Sequence, residues 1–344
     1  MKKLFFVLVF TVMLLSCTEE TITDDLSPKE EIEGIRITLS LKEEAFSPFQ
    51  ASFDSYTSCL PYEKEINSLT VCVYNPGNDT FFKRAFTSSE ITFRWFYFPL
   101  PAAAAGDECE FYVIANSTVT ATNREELLAM KEPDIAVYNG SFEAVTSGSC
   151  REGGFVMLGS TTQIISPENT VTPVIITLRR TVAKIVVDVR FSEEFKAECS
   201  GISFINGRVG MGNANLTSRI FPRDTKLHEG ELYLNQQAKA EGEQFQTMFY
   251  AFEDDEKAEE YRQIYLLIRL SCSYTPKGSG QSVSCSGLYN VHVEGSGAGV
   301  IQRNACYHVQ VIITGLIDSE TKKLIAASPW NGSCAENFII NEDN

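Results

Sequence analysis

The sequence predicts an all-β protein built from antiparallel sandwiches. Apolar and polar residues alternate at period two along most of the chain. The alternating segments are short, and gaps rich in Gly, Pro, Asn and Ser separate them. One segment alone carries a clear helical signature.

The strands follow in order. Ile35, Ile37, Leu39 and Leu41 share one face, and Arg36, Thr38, Ser40 and Lys42 share the other, as in a half-buried strand. The pattern repeats at Leu69, Val71 and Val73, and again at Phe111, Val113 and Ala115. Ala183, Ile185, Val187 and Val189 alternate with Lys184, Asp188 and Arg190. Ile264, Leu266, Ile268 and Leu270 form another inward row, and Tyr307, Val309, Val311 and Ile313 another. Glu90–Phe98, Val174–Leu178, Ile202–Ile205 and Gln246–Ala251 are further strand candidates. The expected helix starts at a capping box of Thr122 and Glu125, runs through Leu127, Leu128 and Met130, and stops at Pro133. It is expected to cover one end of a sheet. The strand sets on either side of Arg179–Arg180 look separate, so the expected domains are residues 34–179 and 180–344.

The chain has 344 residues, room for two domains that each bury a core. Its 44% hydrophobic and 22% charged residues exclude wholesale disorder. With 29 Lys+Arg against 45 Asp+Glu the net charge is 29 − 45 = −16, which argues against a nucleic-acid partner. Three His residues and no acid–base–nucleophile pattern argue against an enzyme. No motif calls for a cofactor.

The N-terminus gives an address. Residues 1–17 (MKKLFFVLVFTVMLLSC) place two lysines before a short apolar run, the order of a secretory signal. Leu14-Leu15-Ser16-Cys17 resembles a bacterial lipobox, which makes Cys17 the lipidated residue of an outer-membrane lipoprotein. Thr18 stands where an inner-membrane retention Asp would be, and Glu19, Glu20, Asp24 and Asp25 resemble a surface-export signal. Residues 18–33 read as an acidic tether.

Ten Cys occur, nine of them beyond Cys17. Thr275–Gln281 reads as a hairpin turn, and folding the chain about its centre sets Cys272 opposite Cys285. The pair reads equally as a disulfide or as two buried thiols. The remaining Cys show no CxxC spacing, so no zinc site is expected. His308 is expected on the outer face of its strand. The Gly-rich stretches Gly207–Gly212 and Gly295–Gly299 read as turns, and the acidic run Glu253–Glu256 as a solvated loop. The aromatic run Phe93–Phe98 (FRWFYF) reads as a buried strand, the alternative being a sugar platform with Trp95 and Tyr97 exposed.

Several segments, in order, resemble the Bacteroides-type fimbrillins, the subunits of type V pili. They are Ile66–Tyr74 (INSLTVCVY), Phe111–Asn116 (FYVIAN) and Phe155–Ser160 (FVMLGS, with Val156 in place of the family's Pro). Thr177–Val187 (TLRRTVAKIVV) is the most specific. Phe249–Glu253 (FYAFE), Arg303–Val309 (RNACYHV), and Pro329-Trp330 with Asn337–Ile340 (NFII) complete the set. The resemblance covers about residues 35–340. It implies two tandem transthyretin-like sandwiches, other fimbrial subunits as partners, a host protein or glycan as adhesion target, and assembly by donor-strand exchange.

In such assembly a protease cuts after an Arg, the first strand leaves, and the next subunit supplies a replacement. Here Ile35–Leu41 would leave. The expected donor is Ala335–Ile340, including Phe338, Ile339 and Ile340. The sequence departs from the family in one respect. Arg36 is the only Arg before position 84 and lies inside the first strand, while the region after that strand offers only Lys42 and Lys64. Arg36 is therefore the cleavage candidate, and an uncleaved, lipid-anchored basal subunit is the alternative. The competing reading of another class is a glycan-binding surface lipoprotein.

Overall fold

The computed structural model describes residues 35–42, 56, 58–91, 95–100, 104–166, 171–222, 231–237, 239–253, 264–293, 301–313, 321–329 and 336–340. Cys17, the tether, the Gly295–Gly299 stretch, Trp330 and Ala335 lie outside them, as do Phe93, Arg94 and residues 254–256.

The first half supplies β1 (Ile35–Lys42), β2 (Leu69–Asn75), β3 (Thr80–Phe86), β4 (Trp95–Leu100), β5 (Glu108–Ala115), β6 (Lys131–Glu132), β7 (Met157–Ile164), β8 (Val171–Thr177) and β9 (Arg179–Arg180). All but β6, which pairs with a strand of the second half, form one sheet of order β3-β2-β5-β7-β9 and another of order β4-β1-β8. Leu69, Val71, Val73, Phe111, Val113, Val174 and Ile176 fill the space between them. The period-two reading holds at β8, where Thr172, Val174 and Ile176 are buried and Pro173 and Ile175 exposed.

The second half supplies β10 (Val182–Phe191), β11 (Cys199–Asn215), β12 (Ser218–Arg219), β13 (Glu231–Gln237), β14 (Lys239–Glu241), β15 (Gln244–Phe252), β16 (Tyr265–Pro276), β17 (Val283–His292), β18 (Ala305–Ile313), β19 (Thr321–Pro329) and β20 (Glu336–Ile340). Sheet order is β14-β15-β10-β18-β19-β20 against β13-β11-β16-β17. Their core runs from Ile185, Val187 and Val189 to Val209, Met211, Leu266 and Ile268. No helix among the described residues is long and apolar enough to cross a membrane.

Three expectations are corrected. β10 is not half-buried: Lys184 and Asp188 have 0% exposure. Its Ile185 face packs in the second core while Val182 and Val186 pack in the first. β15 divides likewise, with Met248, Tyr250 and Phe252 in the first core and Phe245, Phe249 and Ala251 in the second. One sheet thus serves two cores. Second, Gly207–Gly212 is not a turn but the middle of β11. Aromatic rings lie on the glycine backbone: a Cβ on Gly207 would stand 3.2 Å from the Phe245 ring, and one on Gly212 would stand 2.3 Å from that of Tyr265.

Third, the helix α1 (Arg124–Ala129) is capped by Asn123, one residue later than expected. The Asn123 side chain accepts the Glu126 N–H, and Glu126 Oε2 accepts from the Thr122 N–H (2.8 Å) and hydroxyl (2.9 Å). Leu127 joins Cys72, Tyr112, Ile114 and Leu158, so α1 covers a face of the five-stranded sheet rather than its end. Ile220 and Phe221, which follow β12, cover the same face. Two further short helices, α2 (Phe142–Ser147) and α3 (Glu193–Ala197), are capped by Ser141 and Ser192.

Candidate functional site

The first strand occupies a slot. β1 runs antiparallel to β4, with Ile37 opposite Phe98 and Leu39 opposite Phe96. On its other edge it runs parallel to β8, with Leu39 opposite Val174 and Lys42 opposite Thr177. Both edges are therefore hydrogen-bonded, and removing β1 would leave β4 and β8 each with an unpaired edge. Arg36 is the second residue of β1, so a cut after it leaves Ile37–Lys42 in the slot. β10 holds the same position in the second sandwich, antiparallel to β15 and parallel to β18. The two halves thus repeat one topology, and parallel pairing requires a long crossover in each.

At the far end of the chain, β20 pairs antiparallel with β19, Ile339 opposite Leu324 and Phe338 opposite Ile325. It is the terminal strand of its sheet, with one free edge among the described residues. Three of the expected donor residues, Phe338, Ile339 and Ile340, therefore already lie in an edge strand. Cys272 lies directly opposite Cys285 in the β16–β17 ladder, the register expected from the hairpin. The side chain of Cys272 is fully buried.

Where the two cores meet, charged groups are sealed from water. Lys184 Nζ stands 2.9 Å from Glu63 Oε1, and both side chains have 0% exposure. Lys184 also donates to the Ser58 carbonyl at 3.0 Å. Glu63 Oε1 accepts from the Tyr250 hydroxyl at 2.6 Å, and Oε2 accepts from the Leu60 N–H at 2.7 Å. The Tyr62 hydroxyl donates to the Val145 carbonyl. Arg180 reaches across the same seam: Nε donates to the Glu63 carbonyl (2.7 Å), and Nη1 to Asn304 Oδ1 (3.1 Å). Desolvation pushes the Cys59 thiol up to about 11 and the Cys306 thiol up to about 12. Both thiols stay protonated at neutral pH and are poor nucleophiles.

A second buried carboxylate lies close by in the chain fold. Glu132 accepts from the Tyr138 hydroxyl (2.7 Å) and the Thr181 hydroxyl (3.0 Å), and pairs with Arg151 at 3.0 Å. Burial nonetheless raises its pKa. Arg303 pairs with Glu253 and donates to the carbonyls of Arg219 and Ile220, which pins the segment covering the first sheet. Asn116 has positive φ, 60°, and binds four backbone groups: the N–H of Asn67 and Ser68, and the carbonyls of Glu65 and Phe155. A Cβ on Gly159 would stand 2.5 Å from the Thr177 carbonyl oxygen, so only Gly lets β7 cross β8 this closely.

Asn116, Gly159, Arg180, Lys184, Glu253, Arg303 and Asn304 all belong to the segments that carried the family resemblance. Their shared role is to lock strands and join cores. Among the described residues no group of His, Cys, Asp and Glu could hold a metal.

No protein-family model and no curated protein matches the sequence. Solved structures do match the fold. A proposed cell adhesion protein from Parabacteroides distasonis matches with TM-score 0.56 and 16% identity, over 87% of this chain and 100% of that one. The tip fimbrial protein Mfa3 from Porphyromonas gingivalis matches with TM-score 0.52 and 13% identity, over 86% of this chain and 99% of that one. The fold is that of these cell adhesion and tip fimbrial proteins. A proposed cell adhesion protein from Bacteroides eggerthii shows it too, with TM-score 0.51 and 15% identity, over 87% of this chain and 97% of that one.

The shared fold extends along nearly the whole of each neighbour. Sequence reading missed Glu63 and Glu132, because an acidic residue in a polar loop carries no sign that it will be sealed. It read Lys184 as part of an outward face and Arg180 as part of a domain boundary and a motif, with no sign that either would be buried.

Proposed function

We propose that the chain is a non-enzymatic fimbrial subunit of the bacterial surface, assembled by donor-strand exchange and active in adhesion. The observation that carries the reading is the slot of β1, paired along both edges by β4 and β8. An emptied slot exposes two rows of backbone donors and acceptors, and an incoming alternating strand satisfies them at once. Ala335–Ile340 is the donor; β20 at its free edge supports that assignment. Residues 34–179 and 180–344 are the two sandwich domains. Residues 1–17 direct export, and Cys17 carries the lipid that tethers the precursor to the outer membrane. Other subunits are the partners.

Deletion of residues 335–344 tests it. The truncated chain should reach the surface and fail to enter fibres. Normal incorporation of the truncated chain defeats donor-strand exchange through this segment.

A second reading has its own support. Because a cut after Arg36 keeps Ile37–Lys42 in β1, an uncut, permanently lipidated basal anchor fits the position of that arginine.

A further inference from the structure

The sheet β13-β11-β16-β17 turns one face to solvent, and that face carries two arginines side by side. Arg208 of β11 lies directly opposite Arg269 of β16. Ladder geometry sets their Cα atoms ~5 Å apart. Like charges directly opposite on adjacent strands are destabilising. Both side chains are exposed, and among the described residues neither has a hydrogen bond or an ion pair. This is unexpected in a chain with 45 acidic residues.

Among the described residues, the rows around the arginines hold no counterion for them. Arg208 faces Gln237 on one side, and Arg269 faces Leu288 on the other. The next row is Asn206, Ser271 and Ser286, and the one on the opposite side is Asn235, Gly210, Leu267 and Asn290. No Asp or Glu stands in these three rows. Asn206, Arg208, Arg269, Ser271, Ser286 and Leu288 line a depression of ≈ 450 Å³. That volume lies within the range of small-ligand sites.

We propose that this depression binds a saccharide bearing an anionic substituent, a carboxylate or a sulfate. The paired guanidiniums take the anionic group, since their planar N–H forks match its oxygens. The Ser hydroxyls and Asn amide supply the mixed donors and acceptors that sugar hydroxyls need, and Leu288, 55% exposed, offers an apolar edge to a pyranose face. A neutral, hydroxyl-rich surround favours a saccharide over an acidic peptide, which gains little from serine side chains. The site supplies an adhesion ligand for the proposed subunit, and it works whether or not strands are exchanged.

Binding of the full mature chain to three oligosaccharides of equal length tests it: a polyuronate, a sulfated glucan and a neutral glucan. At least one anionic oligosaccharide should bind and the neutral one should not; which of the two binds identifies the anionic group. Arg208→Gln with Arg269→Gln should weaken binding by about tenfold or more. Removal of the facing charges should leave the melting midpoint unchanged or raised. Arg208→Lys with Arg269→Lys keeps the charge, loses the fork, and should weaken binding as well. Absence of binding to both anionic oligosaccharides overturns the proposal, as does undiminished binding by the Gln variant. Stronger binding of polyglutamate than of either saccharide also overturns it and makes the site one for an acidic protein.

Discussion

Lys184 Nζ lies 2.9 Å from Glu63 Oε1, and neither side chain is exposed to water. Glu63 comes from a short helical turn before β2 and Lys184 from the first long strand of the second half, so the pair ties one core to the other. The charges gain strength in the low dielectric but lose their hydration, so the pair as a whole adds little net stability. Losing one member is a different matter, because it strands the other.

Lys184→Met should therefore destabilise the chain by about 3–5 kcal/mol, since it takes the lysine charge away from the buried Glu63 carboxylate. Lys184→Met combined with Glu63→Leu should recover part of that loss. Urea unfolding of wild type, both single variants and the double variant measures the coupling. Additive losses would show that the two residues act independently.

Gly159→Ala places a methyl group 2.5 Å from the Thr177 carbonyl oxygen and 2.4 Å from Ile176 Cγ2. Backbone cannot rotate away as a side chain tip can, so β7 and β8 must separate. The expected cost is about 1–3 kcal/mol. Thermal unfolding checks it, and an unchanged midpoint would mean that the two strands have slack.

Glu126 caps α1, and its pKa is lowered, first by the Thr122 backbone N–H and then by the Thr122 hydroxyl. A lowered carboxylate contributes stability above its unfolded value that is lost as pH falls through the folded one. Wild type should melt above Glu126→Gln at pH 7, and the gap should close as pH drops below the ordinary glutamate value of 4.5. A gap that persists at low pH would locate the effect elsewhere than in the charge.

Cys272 stands opposite Cys285 in the ladder, and under the proposed export of the chain we expect the pair to be oxidised on the surface. Peptide mapping without reduction should recover a linked 272–285 fragment. Two separately alkylated cysteines would leave them as thiols.

Much of this fold was legible because sheet physics is local. The alternating rows at Ile35–Leu41, Leu69–Val73 and Tyr307–Ile313 became β1, β2 and β18. The turn at Thr275–Gln281 set the β16–β17 register correctly because a hairpin's register follows from its loop. Illegible features depended on partners distant in sequence. Lys184 and Asp188 read as a solvated face because period two says which residues share a face, not what covers it. Gly207 and Gly212 read as a turn because nothing nearby announces the Phe245 and Tyr265 rings lying against the strand. At the site, Arg208 and Arg269 are 61 positions apart (269 − 208), and only the β11–β16 ladder brings them together.

The central claim is that β1 leaves its slot and another strand replaces it. Intact-mass analysis with N-terminal mapping of the protein recovered from surface fibres tests this most directly. The account predicts chains that begin beyond Lys42, with β1 gone. Fibres in which every copy still begins at lipidated Cys17, with β1 intact, would contradict it and leave the basal anchor as the better reading.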